Sequence, residues 1–118
     1  MNKKYSMPIY NENPYGVAIL NAADQCRNYF TRHPSARDFP QYLETYLDEI
    51  LSFLALRIKP EEIEIHVSRA DKLVDEFEVV VFEKYTTDNK IILIEFLEKK
   101  VYPFLGELHD LCQTFQGL

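Results

Sequence analysis

The stretch IEIHVSRADKLVDEFEVVV, residues 63–81, decides the fold class of this chain. Its apolar residues recur at alternating steps of four and three, a period that an α-helix produces and that a strand, with its period of two, does not. These positions are Ile63, Val67, Ala70, Val74, Phe77 and Val81. Residues 78–82 are rich in β-formers, but each loses only about a few tenths of a kcal/mol in a helix, whereas each buried apolar side chain contributes roughly 1.5–3 kcal/mol. The stretch therefore predicts a helix, which Pro60 opens.

A second ladder of the same kind follows a polar break at residues 86–89. Its apolar positions are Ile94, Leu97, Val101, Phe104, Leu108, Leu111 and Phe115. They predict another helix, and Pro103 should kink it because proline lacks the N–H that bonds the carbonyl four residues earlier.

Two further helices are predicted in the first part of the chain. Asn13 and Pro14 provide a cap and a first helical residue, and an apolar stripe continues the helix over 14–33. Asp38 provides the next start signal, and the apolar pattern predicts a helix over 39–58, which ends before a proline.

The short connections between these helices predict an all-α fold, an antiparallel four-helix bundle that forms one domain over residues 14–118. Residues 1–13 lack periodicity but contain several aromatic and aliphatic side chains, so we expect an extended N-terminal arm lying on this domain. An alternative is open at residues 76–97, because two strands there would form a hairpin and give an α+β domain.

The charge and the cysteine content of the chain favour some classes of function over others. The 118 residues carry a formal net charge of −6, and the charge is uneven, since residues 1–40 carry +2 and residues 41–118 carry −8. An acidic surface repels nucleic acid and anionic lipid, and it favours a basic protein partner or simply solubility. Cys26 and Cys112 form no C-x-x-C pair, and no leader or membrane-length apolar run is present, so we expect a cytoplasmic protein with free thiols.

The common catalytic and cofactor motifs are missing. The chain has only three glycines, which form no glycine-rich phosphate loop. His33, His66 and His109 lie on different predicted elements without the spacing of metal ligands, and the inward positions are apolar. We therefore expect no metal and no cofactor.

Two short segments resemble families with known chemistry. Arg27 and His33 are separated by five residues, which resembles the motif of HEPN-type ribonucleases. That resemblance implies that His33 assists proton transfer and Arg27 stabilises phosphate charge. The simpler interpretation is a surface arginine and a histidine at the end of a helix.

His66, followed by Arg69 and Ala70, resembles the phosphorylated segment of histidine phosphotransfer domains. The resemblance implies that His66 takes the phosphoryl group and Arg69 neutralises it. The chain lacks that family's Lys-Gly pair, and a histidine bordering the helix seam is the simpler interpretation.

The surface predicts binding. The helix over 39–58 has a second apolar stripe, which makes its apolar arc wide, and the helix that follows is acidic. The candidate binding residues are Tyr42, Tyr46, Phe53, Leu56, Glu64, Asp71, Asp75 and Glu78. We expect a non-catalytic protein that binds another macromolecule, in the manner of an inhibitor or immunity-type protein covering a basic surface. The apolar residues beside 86–89 suggest a homodimer or partner contact.

Overall fold

The computed structural model describes residues 13–28, 36–86 and 89–115. In this part of the chain the regular structure is helical: α1 Pro14–Leu20, α2 Ala22–Asn28, α3 Phe39–Ala55, α4 Pro60–Val79, α5 Lys90–Phe96 and α6 Tyr102–Gln113. A 3₁₀ turn, Ala36–Asp38, precedes α3. The predicted all-α class is confirmed. The extended arm predicted for 1–13 lies, apart from Asn13, outside the described residues.

Helix α1 begins at a side-chain cap. The Oδ1 atom of Asn13 accepts hydrogen bonds from the backbone N–H groups of Tyr15 and Gly16, at 2.9 and 3.0 Å. The Nδ2 atom of Asn13 donates to Glu49 on α3 at 2.8 Å, so one buried side chain both starts α1 and ties it to α3. Such a cap contributes about 1 kcal/mol.

The helix predicted over 14–33 is interrupted at Asn21, which separates α1 from α2. The hydroxyl of Tyr102 causes the interruption. It donates to the Ile19 carbonyl at 2.8 Å and accepts from the Ala23 N–H at 3.3 Å, two groups that would bond each other in a continuous helix. Burial raises the pKa of Tyr102 to about 12, so the hydroxyl keeps the proton that it donates.

Helices α3 and α4 are joined by the short turn 56–59 and pack against each other, which makes them antiparallel neighbours. The α3 side chains that face the core include Phe39, Leu43, Tyr46, Leu47, Ile50 and Leu54. Helix α3 also packs against α1 and α6, so it lies at the centre of the described fold.

The hairpin considered for residues 76–97 is wrong, because 76–84 and 90–97 are helical. The apolar residues that made strands conceivable are used in the helical core: Phe77, Val80, Val81, Leu93, Ile94 and Leu97 are buried. The rings of Phe77 and Phe96 stack with centroids 5.2 Å apart. Burial thus outweighs the β propensity of this region.

Two wide π turns occur in the second half of the chain. One, Val80–Lys84, follows α4 and closes with a 2.8 Å hydrogen bond from the Tyr85 N–H to the Val80 carbonyl. The other, Leu97–Val101, lies between α5 and α6, directly before Pro103, where the sequence predicts a kink. Pro103 has no N–H for the carbonyl of Lys99, and the Tyr102 N–H bonds the carbonyl five residues back instead.

The core is one contiguous apolar cluster. Cys26 and Cys112 lie in it as free, fully buried thiols. Desolvation raises the pKa of Cys26 and raises that of Cys112 to about 11. No helix within the described ranges is long and apolar enough to cross a bilayer.

Candidate functional site

A groove of about 530 Å³ runs between α3 and α4, and we call it the α3–α4 groove. Its lining consists of Glu44, Leu47, Asp48, Leu51, Ser52 and Ala55 from α3, and of Ile63, Val67, Ala70, Asp71 and Val74 from α4.

The floor of the groove is apolar because the first half of α4 is covered less by the rest of the fold than the second half is. Of the residues in α4, only Ala70, Leu73, Val74 and Phe77 are buried, all in the second half. The predicted seam begins earlier, at Ile63, but Val67 is 39% exposed and its neighbour Ile65 is 59% exposed. The seam therefore extends beyond the core and ends in an open groove.

Carboxylates flank the groove on both sides. Glu44 and Asp48 lie one helical turn apart on α3, and Asp71 lines the opposite wall. Three further acidic residues of α4, Glu64, Asp75 and Glu78, are exposed and share the helix face of Asp71 by their spacing. All four acidic residues predicted as binding residues thus lie along one edge of α4.

The four apolar residues predicted as a binding surface lie elsewhere. Tyr42 is half-buried, and its ring packs against that of Tyr15 at a tilt, with centroids 5.8 Å apart. Phe53 is buried, and the guanidinium of Arg57 lies 3.7 Å from its ring centroid. Leu56 is 85% exposed in the turn after α3. Phe53 and Leu56 line a second depression that shares Asp48 and Ser52 with the groove, so they lie beside its α3 wall and outside its lining.

Tyr46 belongs to the core. It is fully buried, and its hydroxyl shares a 2.6 Å hydrogen bond with Nε2 of His109 on α6. Burial lowers the pKa of His109, with the charge of Asp110 acting in the opposite direction, so the imidazole is held in its neutral form. Tyr46 is therefore not part of a binding surface.

Arg69, to which the phosphotransfer resemblance gives the neutralising role, is already paired with a carboxylate. Both terminal nitrogens of Arg69 contact the carboxylate of Glu107 at 3.0 and 3.1 Å, and the guanidinium lies over the Phe104 ring. This hydrogen bond lowers the pKa of Glu107. Nδ1 of His66 is enclosed and has no hydrogen-bond partner among the described residues. A phosphoryl group on His66 would compete with Glu107 for Arg69.

Of the two residues that carry the ribonuclease resemblance, Arg27 lies among the described residues. Arg27 forms ion pairs with Asp24 and with Glu98, and these carboxylates raise its pKa, the hydrogen bond to Glu98 most strongly. His33 lies outside the described residues. Within the ranges that are described, no group of three or more histidine, cysteine or acidic side chains could hold a metal ion.

The self-association surface expected beside residues 86–89 stays a prediction. The structure exposes three large apolar side chains near it, Val79, Phe82 and Ile91. Arg37 lies over the Phe82 ring at 5.2 Å and covers part of it.

The α3 wall of the groove was not predicted from the sequence. Its apolar residues Leu47, Leu51 and Ala55 follow one another at four-residue spacing. This spacing is the signal in the sequence that could have identified the wall. It widens the apolar arc of α3 on the side that faces the acidic helix α4.

The comparisons with known proteins add no relative. No protein-family model matches the chain, and neither a curated protein nor a solved structure matches it.

Proposed function

We propose that this protein is a non-catalytic binding protein whose α3–α4 groove holds a basic segment of a protein partner. The observation that carries the proposal is the combination of an apolar floor with carboxylates on both walls. Apolar area provides affinity in such a site, while the charges select the partner and speed its approach.

The electrostatics favour a cationic partner over nucleic acid or lipid. Residues 41–118, which include α4 and all of α3 except Phe39 and Pro40, carry a net charge of −8. A surface of this sign repels phosphate and attracts lysine and arginine side chains. An acidic protein that covers a basic surface can act as an inhibitor or immunity-type protein, and we assign this chain to that class of activity.

A site-specific cross-linking experiment tests the proposal. A photoreactive residue replaces Ser52 in the groove of the full chain, or replaces Glu95, which is exposed on α5 outside the groove. Both chains are irradiated in cells of the organism that encodes the protein. We expect an adduct with a basic protein from position 52 and none from position 95.

Reversal of one charge at the groove wall provides a second test of the proposal. Asp71→Lys in the position-52 chain should reduce the adduct, because it replaces an attraction at the groove wall with a repulsion. Glu95→Lys, an equal change on α5, should leave the adduct unchanged. Equal adducts from positions 52 and 95, no adduct from position 52, or an adduct insensitive to Asp71→Lys would refute the proposal.

A further inference from the structure

We propose that the segment held in the α3–α4 groove is a single amphipathic α-helix of about three turns, whose cationic end lies over Glu44, Asp48 and Asp71. This inference rests on the proposed function and adds the conformation, length and direction of the partner segment.

The chemistry of the lining selects a helix. Apart from the carboxylates at its edges, the groove offers only the Ser52 hydroxyl as a polar side chain. An extended segment would bury its own N–H and C=O groups there without partners, whereas a helix satisfies them internally. The described residues contain no strand that could pair with such a segment. The groove also lacks the aromatic lining that polyproline segments require.

The length follows from the walls. The α4 wall extends from Ile63 to Val74, which corresponds to roughly 16 Å at 1.5 Å per residue. A helix of about three turns covers this distance. Its apolar side chains at positions i, i+3, i+4 and i+7 would pack between the ridges of α3 and α4.

The direction follows from the charges. The lining carboxylates Glu44, Asp48 and Asp71 belong to one end of the groove, and the exposed Asp75 and Glu78 continue the acidic edge beyond it. At the other end the lining is Leu51, Ser52, Ala55, Ile63 and Val67. The exposed charges around this end are mixed, since Arg57 and Lys59 of the turn stand near Glu61, Glu62 and Glu64. A fitting helix therefore has lysine or arginine at one end and apolar side chains along the remainder.

A second copy of this chain is a poor occupant. Among the described residues its most exposed large apolar side chain, Leu56, lies in the turn 56–59 and not on a helix. The exposed Val79 and Phe82 have Glu78 and Glu83 beside them, which would approach the groove carboxylates with like charge. We therefore expect the amphipathic helix to come from a different protein.

A displayed peptide library tests the inference. Peptides of about 14 residues, or four turns, carry fixed leucines at helical spacing, with Lys, Glu, Ser or Ala randomised between them, and are selected on the full chain. We expect enriched peptides with Lys concentrated at one end. A proline placed at the centre of an enriched peptide should abolish binding, because it breaks the helix.

Fluorescence anisotropy with the enriched peptide then locates the site. Glu44→Lys in the chain should weaken binding about tenfold, and Glu95→Lys should leave it unchanged. Failure to enrich any peptide, enrichment without charge asymmetry, binding that survives the central proline, or equal effects of the two variants would overturn the inference. Analytical ultracentrifugation of the free chain tests whether a second copy occupies the groove. A dimer that Ser52→Arg dissociates would show that it does and would overturn the inference.

The two proposals can fail separately. A charge-dependent adduct at position 52, together with a library that returns unpolarised or proline-tolerant peptides, would keep the binding function and reject the helix. If the adduct at position 52 is absent while polarised peptides bind the groove, the groove accepts such helices and the proposed cellular function is rejected.

Discussion

Tyr46 is held from both sides by residues far away in sequence. Its hydroxyl bonds His109 on α6, and its ring faces Gly16 on α1, where an added Cβ would lie 2.7 Å from the ring carbon Cζ. Glycine at position 16 is therefore required by the close approach of α1 to α3, and the ring cannot move aside without losing its hydrogen bond.

The close approach predicts opposite effects of alanine at two helical glycines. Gly16→Ala should lower the free energy of unfolding by about 1–3 kcal/mol, because the methyl group overpacks against Tyr46. Gly106→Ala should raise it by roughly 0.5–1 kcal/mol, because nothing lies within 4 Å of its added Cβ and alanine favours the helix. Urea unfolding of both variants measures the difference. Stabilisation by both changes would contradict the packing described for Tyr46.

At this scale the sequence predicted some roles and not others. The seam residues Ala70, Val74, Phe77 and Val81 are buried as expected. Tyr46 was assigned to a binding surface because its helix has an apolar arc wider than one neighbour requires. Helical spacing gives the face on which a side chain lies, but it does not say which neighbour covers that face.

Helix α4 consists of two halves with different surroundings. Its second half packs in the core, and its first half, with Val67 and Ile65, borders the groove and solvent. The apolar seam made the helix predictable from end to end, because periodicity is a local property. How much of α4 the other helices bury depends on their lengths and positions, which periodicity does not reveal. The interruption between α1 and α2 at Asn21 likewise depends on a residue distant in sequence, since the hydroxyl of Tyr102 causes it.

The difference between the halves of α4 predicts uneven local stability. Backbone amides of residues 64–69 should exchange hydrogen faster than those of residues 73–79, because fewer apolar contacts hold the first half closed. A peptide enriched on the groove should slow exchange in 64–69 and leave 73–79 nearly unchanged. Hydrogen exchange followed by mass spectrometry or NMR measures both, and uniform protection along α4 would contradict the picture of an uncovered half.

At the scale of the molecule, the groove is a place where like charges stand close together. Glu44 and Asp48 on α3, and Asp71 and Asp75 on α4, are like-charge pairs at i,i+4 spacing. Such a pair destabilises a helix by about 0.2–0.5 kcal/mol. The groove charges therefore reduce the stability of the free chain, and a bound cationic partner would relieve that repulsion.

This repulsion predicts that salt stabilises the free protein. Raising NaCl from about 0.01 M to 0.15 M shortens the screening length from roughly 30 to 8 Å and should raise the free energy of unfolding in urea. The double variant Glu44→Gln with Asp71→Asn should be more stable at low salt by roughly 0.4–1 kcal/mol and should respond less to salt. Glu95→Gln serves as the control away from the groove. A salt response that the double variant retains in full would contradict this assignment.

The fold class could be predicted from the sequence because two long apolar ladders dominate the second half of the chain. The acidic edge of Glu64, Asp71, Asp75 and Glu78 was also predictable, since it lies on one helix. The groove itself was not, because it arises between α3 and α4 from surface that no other described element covers. The apolar half of the site therefore became visible only with the tertiary structure.

The concealment of both native thiols makes the groove easy to label. Cys26 and Cys112 are fully buried, and burial keeps them protonated at neutral pH, so a maleimide has no reactive target on the folded chain. A cysteine introduced by Ser52→Cys would accept a fluorophore alone, without prior removal of the native cysteines. The same dye added to the unaltered protein would count unfolded molecules, since only unfolding brings either sulfur to the reagent.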